Sequence, residues 1–185
     1  MSKVSDSSIL AELTALAKSV KFASDCPDWQ VITERKGERL QLTCPLWIED
    51  NIQSGLRLEL IGPKATPANR PHYGFKSLMF ANIANRTWHL GRIEFDPDTP
   101  VGVSHRNPFN AKHVPPTVTG AHFHSFDDNV AYGGLSSLSQ DSDLPVARAL
   151  DTNINNYSDI LAVIRELYII PDLWLEEPAW SRTLL

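Results

Sequence analysis

Residues 55–62 read Gly-Leu-Arg-Leu-Glu-Leu-Ile-Gly, and this stretch decides the class of fold to expect. Leucine occupies every second position, and the intervening positions hold Arg57 and Glu59. Successive side chains of a β-strand point to opposite faces, so the alternation predicts a strand with one buried and one wet face. Such strands are typical of antiparallel sheets, in which one face can remain solvated.

Runs with strand character lie on both sides of this stretch. Residues 30–34 and 39–48 precede it, and residues 76–83 and 87–95 follow it. The spacing between the runs is too short for the helical crossovers that parallel strands require. We therefore expect one curved antiparallel sheet of about six or seven strands.

Two helices are expected near the ends of the chain. Apolar residues recur at intervals of three and four in residues 5–22 and again in about 157–168. Asn156 or Ser158 can cap the second helix. The predicted fold class is α+β, with an N-terminal and a C-terminal helix. At 185 residues the chain is long enough for one well-buried core and short for two, so residues 1–185 are expected to form a single domain.

Composition narrows the class of protein. The net charge is -5, which disfavours a general nucleic-acid binder, although residues 70–124 contain six basic and three acidic residues. No apolar run approaches the roughly 18 residues of a membrane span. Cys26 and Cys44 are isolated in sequence. We therefore expect a cytoplasmic protein without membrane contact, in which both cysteines are reduced.

Histidines concentrate in one part of the chain. Four of the six lie in residues 105–124, and the other two lie shortly upstream. A short alternating run predicts a strand with His122 and His124 on one face and Phe123 packed on the other. Residues 104–119 contain three prolines and are predicted to form a loop that returns to this strand.

One hypothesis for these histidines is metal binding. Two imidazoles side by side on a strand are a common way to present nitrogen ligands. His122 and His124 would be the first two ligands for zinc or iron. His105, His113 or an aspartate from the turn that follows could complete the set.

The same residues partly resemble the first motif of the cupins. The matching positions are Gly120, His122, His124, Asp128 where that family has Glu, and Gly134 further on. A single residue separates Gly120 from His122, where cupins have more, and no histidine after residue 124 supplies the second cupin motif. The resemblance implies cupin-like chemistry at a bound metal ion.

A second hypothesis is acid–base cleavage of a phosphodiester without any cofactor. Two histidines with pKa values near neutrality can act as base and acid at pH 7. One of His122 and His124 would be the base, His105 the acid and Arg106 the clamp that holds the phosphate, with Lys112 or Arg92 as alternatives for the clamp. The local excess of positive charge favours this substrate class, with RNA or a nucleotide as the substrate.

A third interpretation is structural. His72, His89 and His113, taken singly, are most simply satisfied polar residues, and Asn107 and Asn129 are ordinary turn formers. The acidic remainder of the chain would then suit a non-catalytic binding or immunity module that holds a basic partner protein.

The run from Leu90 to Phe126 resembles a family of small bacterial proteins of unknown function. The shared signature is His-Arg-Asn-Pro at residues 105–108, followed by Gly-x-His-x-His at residues 120–124, and the similarity covers roughly residues 76–170. More distantly, the run is similar to toxin components of bacterial toxin–antitoxin pairs. These resemblances imply a nuclease-like toxin or phage-defence component with a cognate antitoxin, and His105, Arg106, His122 and His124 are the matching positions.

Overall fold

The computed structural model of the chain describes residues 5–23, 28–34, 37–49, 51–63, 75–95, 104–152, 154 and 156–178. The three α-helices are α1 (Asp6–Lys18), α2 (Phe126–Gly133) and α3 (Tyr157–Tyr168), and a 3₁₀ helix spans Gly134–Leu138. The strands are β1 (Phe22–Ala23), β2 (Gln30–Glu34), β3 (Gly37–Ile48), β4 (Asn51–Pro63), β5 (Phe75–Ile83), β6 (Arg86–Phe95), β7 (Ser104–Arg106), β8 (Thr117–Thr119), β9 (His122–Ser125) and β10 (Arg148–Ala149).

One antiparallel sheet of eight strands organises the fold. The strand order is β1-β3-β4-β5-β6-β9-β10, and β2 also pairs with β3. Strands β7 and β8 form a separate two-stranded sheet. The α+β class, the antiparallel sheet and the terminal helices are confirmed. The main sheet exceeds the expected six or seven strands because β1 and β10 have two residues each, too few to show a periodic pattern.

The apolar face of the sheet packs against the two terminal helices. Leu13 of α1 and Tyr168 of α3 are completely buried there. The Tyr168 ring lies against Gly91 of β6, where an added Cβ would meet a ring carbon at 2.7 Å. The Tyr168 hydroxyl donates to the carbonyl of Ser77 at 2.9 Å. Gly91 thus allows the ring to lie directly on the sheet, because a larger residue has no room for its side chain.

Lys21 joins the C-terminal ends of α1 and α3. Its side chain is completely buried, and Nζ donates to the carbonyls of Ala17 at 3.0 Å, Ser19 at 2.8 Å and Tyr168 at 3.1 Å. Burial lowers the pKa of Lys21 to about 8. The amine therefore satisfies carbonyls that the helices leave without partners at their ends.

Three local expectations were wrong. The turn expected after the histidine strand is instead α2, followed by the 3₁₀ helix, because the Ser125 hydroxyl caps α2 by accepting from the Asp128 N–H at 3.1 Å. The expected loop of residues 104–119 contains β7 and β8. The first helix ends at Lys18, before the predicted residue 22.

Cys44 is completely buried and disulfide-bonded, so the expected reduced thiol is wrong for this residue. Cys26, the other cysteine in the sequence, and His72 lie outside the described residues. Disulfides are rare in reducing compartments, so this bond does not favour the cytoplasmic location, which stays a prediction. In the described part of the chain, the helices are too short or too polar to cross a membrane.

Candidate functional site

Strand β9 places His122 and His124 on the face of the sheet opposite the terminal helices. In the register with β6, His124 pairs with Arg92 and His122 pairs with Glu94. Phe123 points to the other face, where its ring centroid lies 6.1 Å from that of Tyr168. The period of two in the sequence therefore identifies the shared face correctly.

Strand β7 brings a third histidine against this pair. The ring centroid of His105 lies 5.6 Å from that of His122 and 4.6 Å from that of His124. The centroids of His122 and His124 lie 5.1 Å apart. One ring nitrogen from each of the three residues lies within 4.8 Å of those of the other two. His122 and His124 are buried, whereas His105 is half-buried and marks the side of the cluster that meets solvent.

A backbone carbonyl fixes each of the three rings. Nε2 of His105 bonds to Pro145 O at 2.9 Å, Nδ1 of His122 to Gly120 O at 2.8 Å, and Nδ1 of His124 to Leu144 O at 2.6 Å. A carbonyl oxygen only accepts, so each bonded nitrogen carries the hydrogen. The other nitrogen of each neutral ring then keeps its lone pair. Histidines that bind metals are oriented in this way by partners beyond the ligands.

Two buried asparagines hold the segment that supplies two of these carbonyls. The Asn129 amide bonds to both the N–H and the carbonyl of Val146, each at 2.9 Å. The Asn107 amide bonds in the same way to Ala147, at 2.7 Å to its N–H and 2.9 Å to its carbonyl. Each asparagine thus takes the place of a neighbouring strand. Both residues were expected to be simple turn formers, and this expectation was wrong.

The same segment begins in an unusual backbone conformation. Asp143 and Leu144 have φ values of 51° and 50°, in the left-handed region that residues other than glycine rarely adopt. Arg92 Nη1 donates to the Asp143 carbonyl at 2.7 Å and also pairs with the Asp143 carboxylate. Strained backbone persists where surrounding contacts fix it, and it clusters at functional sites. Here it sets the position of the carbonyl that holds His124.

Two charged residues of β6 complete the cluster. Arg92 Nη2 lies 2.8 Å from Nε2 of His124, and Arg92 Nε lies 3.2 Å from Oε1 of Glu94. Oε2 of Glu94 lies 3.8 Å from Nε2 of His122. Lys76 also reaches Glu94 Oε1, at 3.3 Å. A guanidinium and a carboxylate therefore lie beside the rings as an ion pair, with Arg92 at His124 and Glu94 at His122.

Burial keeps the two strand histidines neutral. It lowers the pKa of His124 to about 2, helped by the positive charge of Arg92 and by the neighbouring rings of His105 and His122. Burial also lowers the pKa of His122, although the Gly120 carbonyl and Glu94 act in the opposite direction. Both rings are uncharged at neutral pH, which is the form that binds metals and the wrong form for a general acid.

The structure brings together three of the four residues expected at the site. Arg106 is exposed, and as the neighbour of His105 in β7 it faces the other way. Arg92 takes the place beside the rings that was expected for Arg106. The signal for Arg92 was its alternation with Glu94 in the part of β6 that is otherwise buried, Trp88–Phe95.

The remaining described histidines lie apart from the cluster. His89 is buried against Phe80, with ring centroids 4.6 Å apart. His113 bonds through Nε2 to the Asp128 carbonyl at 3.2 Å.

Comparisons with models of known protein families, with curated proteins and with solved structures found no match for the chain. The chemistry of the cluster is therefore argued from its geometry.

Proposed function

We propose that His105, His122 and His124 bind a divalent transition metal ion, with zinc as the first candidate, and that the protein is a metal-dependent phosphodiesterase. The observation that carries the proposal is the set of three carbonyl bonds. Each bond occupies one nitrogen of a ring and leaves the other nitrogen with its lone pair. One nitrogen from each ring lies within 4.8 Å of those of the other two. Imidazole is a preferred ligand for zinc, copper, iron and nickel.

The spacing suits a metal after a small contraction. Two nitrogens bound tetrahedrally to zinc at 2.0–2.1 Å lie about 3.3 Å apart. The nitrogens, one from each ring, that lie within 4.8 Å of one another would need to approach by about 1.5 Å at most to reach this spacing. Side-chain rotation of the half-buried His105 can supply much of this movement while β9 stays fixed in the sheet.

Three protein ligands favour a catalytic centre over a structural one. Structural zinc sites usually have four protein ligands, whereas catalytic sites keep one position for water or substrate. A bound metal ion makes such a water acidic near neutral pH. Glu94 is the residue placed to accept a proton there, because its Oε2 faces His122 while Oε1 forms ion pairs with Arg92 and Lys76.

Arg92 supports an anionic substrate. Its Nη2 now donates to Nε2 of His124, the nitrogen that a metal ion would occupy. Once displaced from that nitrogen, the guanidinium remains beside the cluster, held by Glu94 and Asp143. A guanidinium in this position can bind a phosphate oxygen and stabilise the charge that develops during hydrolysis.

The test combines metal content with hydrolysis, using protein purified without a histidine tag. Wild-type protein should bind near-stoichiometric zinc or iron, and the His122→Ala/His124→Ala variant should lose both the metal and the cleavage of RNA and of a chromogenic phosphodiester. His113→Ala is the matched control, because it removes a histidine outside the cluster. Wild-type protein that stays free of metal and does not bind added zinc, iron, manganese or nickel would disprove the metal centre.

A second candidate is metal-free cleavage of a phosphodiester, with one of His122 and His124 as base and His105 as acid. The contact that favours it is the 2.8 Å bond from Arg92 to His124, which satisfies this ring without a metal. Such activity should survive an excess of chelator, whereas activity of the metal centre should vanish and return with added metal. Burial lowers the pKa of both His122 and His124, which makes either ring a weak base, and this candidate is therefore placed second.

The resemblance to small bacterial proteins and to toxins suggests where the activity operates. We propose that the protein is a nuclease-like toxin or a phage-defence component that acts on RNA. Induced expression in a bacterial host should then arrest growth, and the His122→Ala/His124→Ala variant should not. Equal growth of cells expressing either protein at the same level would refute this role.

A further inference from the structure

The entrance to the histidine cluster lies beside one particular loop. His122 and His124 are buried and His105 is half-buried, so a substrate reaches the three rings past His105. The chain continues from His105 into the connection between β7 and β8. Residues 106–112, which are the last residue of β7 and the first part of this connection, are called the entrance loop here and start at the opening of the site.

Phe109 projects from the entrance loop into water. Its side chain is 99% exposed, compared with 68% for Trp174 and 47% for Val20 and Val31, the other large apolar residues described as exposed. A single exposed apolar residue is common. A phenyl ring with almost no protein contact, next to the opening of a candidate active site, is a more specific feature.

The protein holds this ring outward through a rigid support. Asn107, immediately before the turn, is buried and bonds to Pro115 O at 2.6 Å and to both polar groups of Ala147. The turn closes through a bond from the Ala111 N–H to Pro108 O at 2.9 Å. Ala111 then packs with Val114 and Val146 in a small apolar cluster. Both ends of the turn are thus fixed, and the backbone presents Phe109 to solvent.

The charges around Phe109 are positive. Arg106 and Lys112 are exposed at the two ends of the entrance loop, and residues 104–125 contain no aspartate or glutamate. The next carboxylates, Asp127 and Asp128, pair with Lys18 at 3.4 Å and Arg148 at 2.7 Å. An aromatic ring between two cations is the arrangement with which proteins hold an unpaired base and its adjoining phosphates.

We propose that the entrance loop binds single-stranded nucleic acid, with a base stacked on Phe109 and the adjoining phosphates bound by Arg106 and Lys112. Single strands are favoured over a duplex because a base offers its face to a protein ring only when it is unstacked. This inference rests on the proposed function for the phosphodiester chemistry, and it names the substrate class. The loop holds the strand, and the histidine cluster acts on a neighbouring phosphodiester.

The test measures binding separately from catalysis. Fluorescence anisotropy with labelled single-stranded RNA, single-stranded DNA and duplex DNA of the same sequence is recorded in excess chelator, so that the result does not depend on a metal. Phe109→Ala should weaken single-strand binding by about 5- to 100-fold, and Phe109→Tyr should retain it. Trp174→Ala, which removes the next most exposed aromatic side chain, is the control and should bind like wild type.

The two cations are tested through salt. Arg106→Gln and Lys112→Gln should each reduce the slope of log K against log salt by about 0.7, the value for one phosphate contact on a single strand. The inference is overturned if wild-type protein binds neither RNA nor DNA single strands, if it prefers the duplex, or if Phe109→Ala binds like wild type. A partner protein that Phe109→Ala releases, in the absence of oligonucleotide binding, would also overturn it and identify the loop as a protein-docking site.

Single-strand binding without any metal uptake would leave the entrance loop supported and refute the metal centre alone. Metal uptake without oligonucleotide binding would support the metal centre and refute the entrance loop as a binding site for single strands. The two proposals can therefore fail independently.

Discussion

Replacing Asn129 with leucine tests whether the segment around Val146 positions the histidines. Leucine has a similar size but cannot bond to Ser125 O, Val146 O or the Val146 N–H, which Asn129 contacts at 2.8, 2.9 and 2.9 Å. A buried polar group left without its partner costs about 1–3 kcal/mol. With three bonds lost and some apolar burial gained, we expect Asn129→Leu to lower the free energy of unfolding by about 3–5 kcal/mol.

The same substitution should also weaken the metal centre. Val146 follows directly after the two residues whose carbonyls hold His124 and His105, so loss of its anchor lets both rings reorient. Loss of a partner that orients a ligand typically weakens metal binding by about 10- to 100-fold. A purely structural role would lower stability without changing metal affinity once the variant is folded.

Urea denaturation gives the stability, and competition with a chromogenic chelator at a temperature where the variant is folded gives the metal affinity. Gln140→Leu is the control, because it replaces an amide with leucine at an exposed position. The reasoning is refuted if Asn129→Leu loses less than about 1 kcal/mol of stability. An unchanged metal affinity in the folded variant would refute the positioning role.

Three further predictions follow from the site and the sheet. The pKa of His124 is about 2 in the folded protein and near 6.5 when unfolded, so below pH 6.5 the unfolded chain binds more protons than the folded one, and the free energy of unfolding decreases as the pH is lowered. This residue alone should remove about 2 kcal/mol of stability between pH 7 and pH 5, as measured by urea denaturation of metal-free protein. Arg92→Gln should tighten zinc binding on the order of tenfold, because it removes a positive charge beside the ion. The same variant should lower kcat/KM for an anionic substrate on the order of 100-fold. Weaker zinc binding would contradict the placement of the guanidinium. Gly91→Ala should lower the free energy of unfolding by about 1–3 kcal/mol, because its Cβ meets the Tyr168 ring at 2.7 Å, and an unchanged thermal midpoint would show that the ring can move aside.

Local features of the fold were predictable because they leave a periodic pattern. Helix α3 spans Tyr157–Tyr168 as expected, with Asn156 as its cap and Ile169 in the left-handed conformation at its end. The shared face of His122 and His124 follows from a period of two. In contrast, Ser125 is both the last residue of β9 and the N-cap of α2, so the sequence contains no separate cap residue that indicates where α2 begins.

Long-range features of the site left no such pattern. Asn107 and Asn129 act through side-chain bonds to residues 40 and 17 positions away, and nothing near either residue in sequence indicates those partners. The choice between Arg92 and Arg106 depends on the register between β6 and β9, which neither strand encodes alone. The residue types at the site were thus readable from the sequence, while the choice between the candidate arginines was not.

The bond between Lys21 and Tyr168 has a consequence for the order of folding during synthesis. Its two residues are 147 positions apart, so this bond between the ends of α1 and α3 cannot form until α3 has left the ribosome. Contacts of such high sequence separation slow folding. The packing of α1 against α3 is therefore expected only after α3 has emerged, and the histidine cluster becomes competent only after the segment around residue 146 has been synthesised.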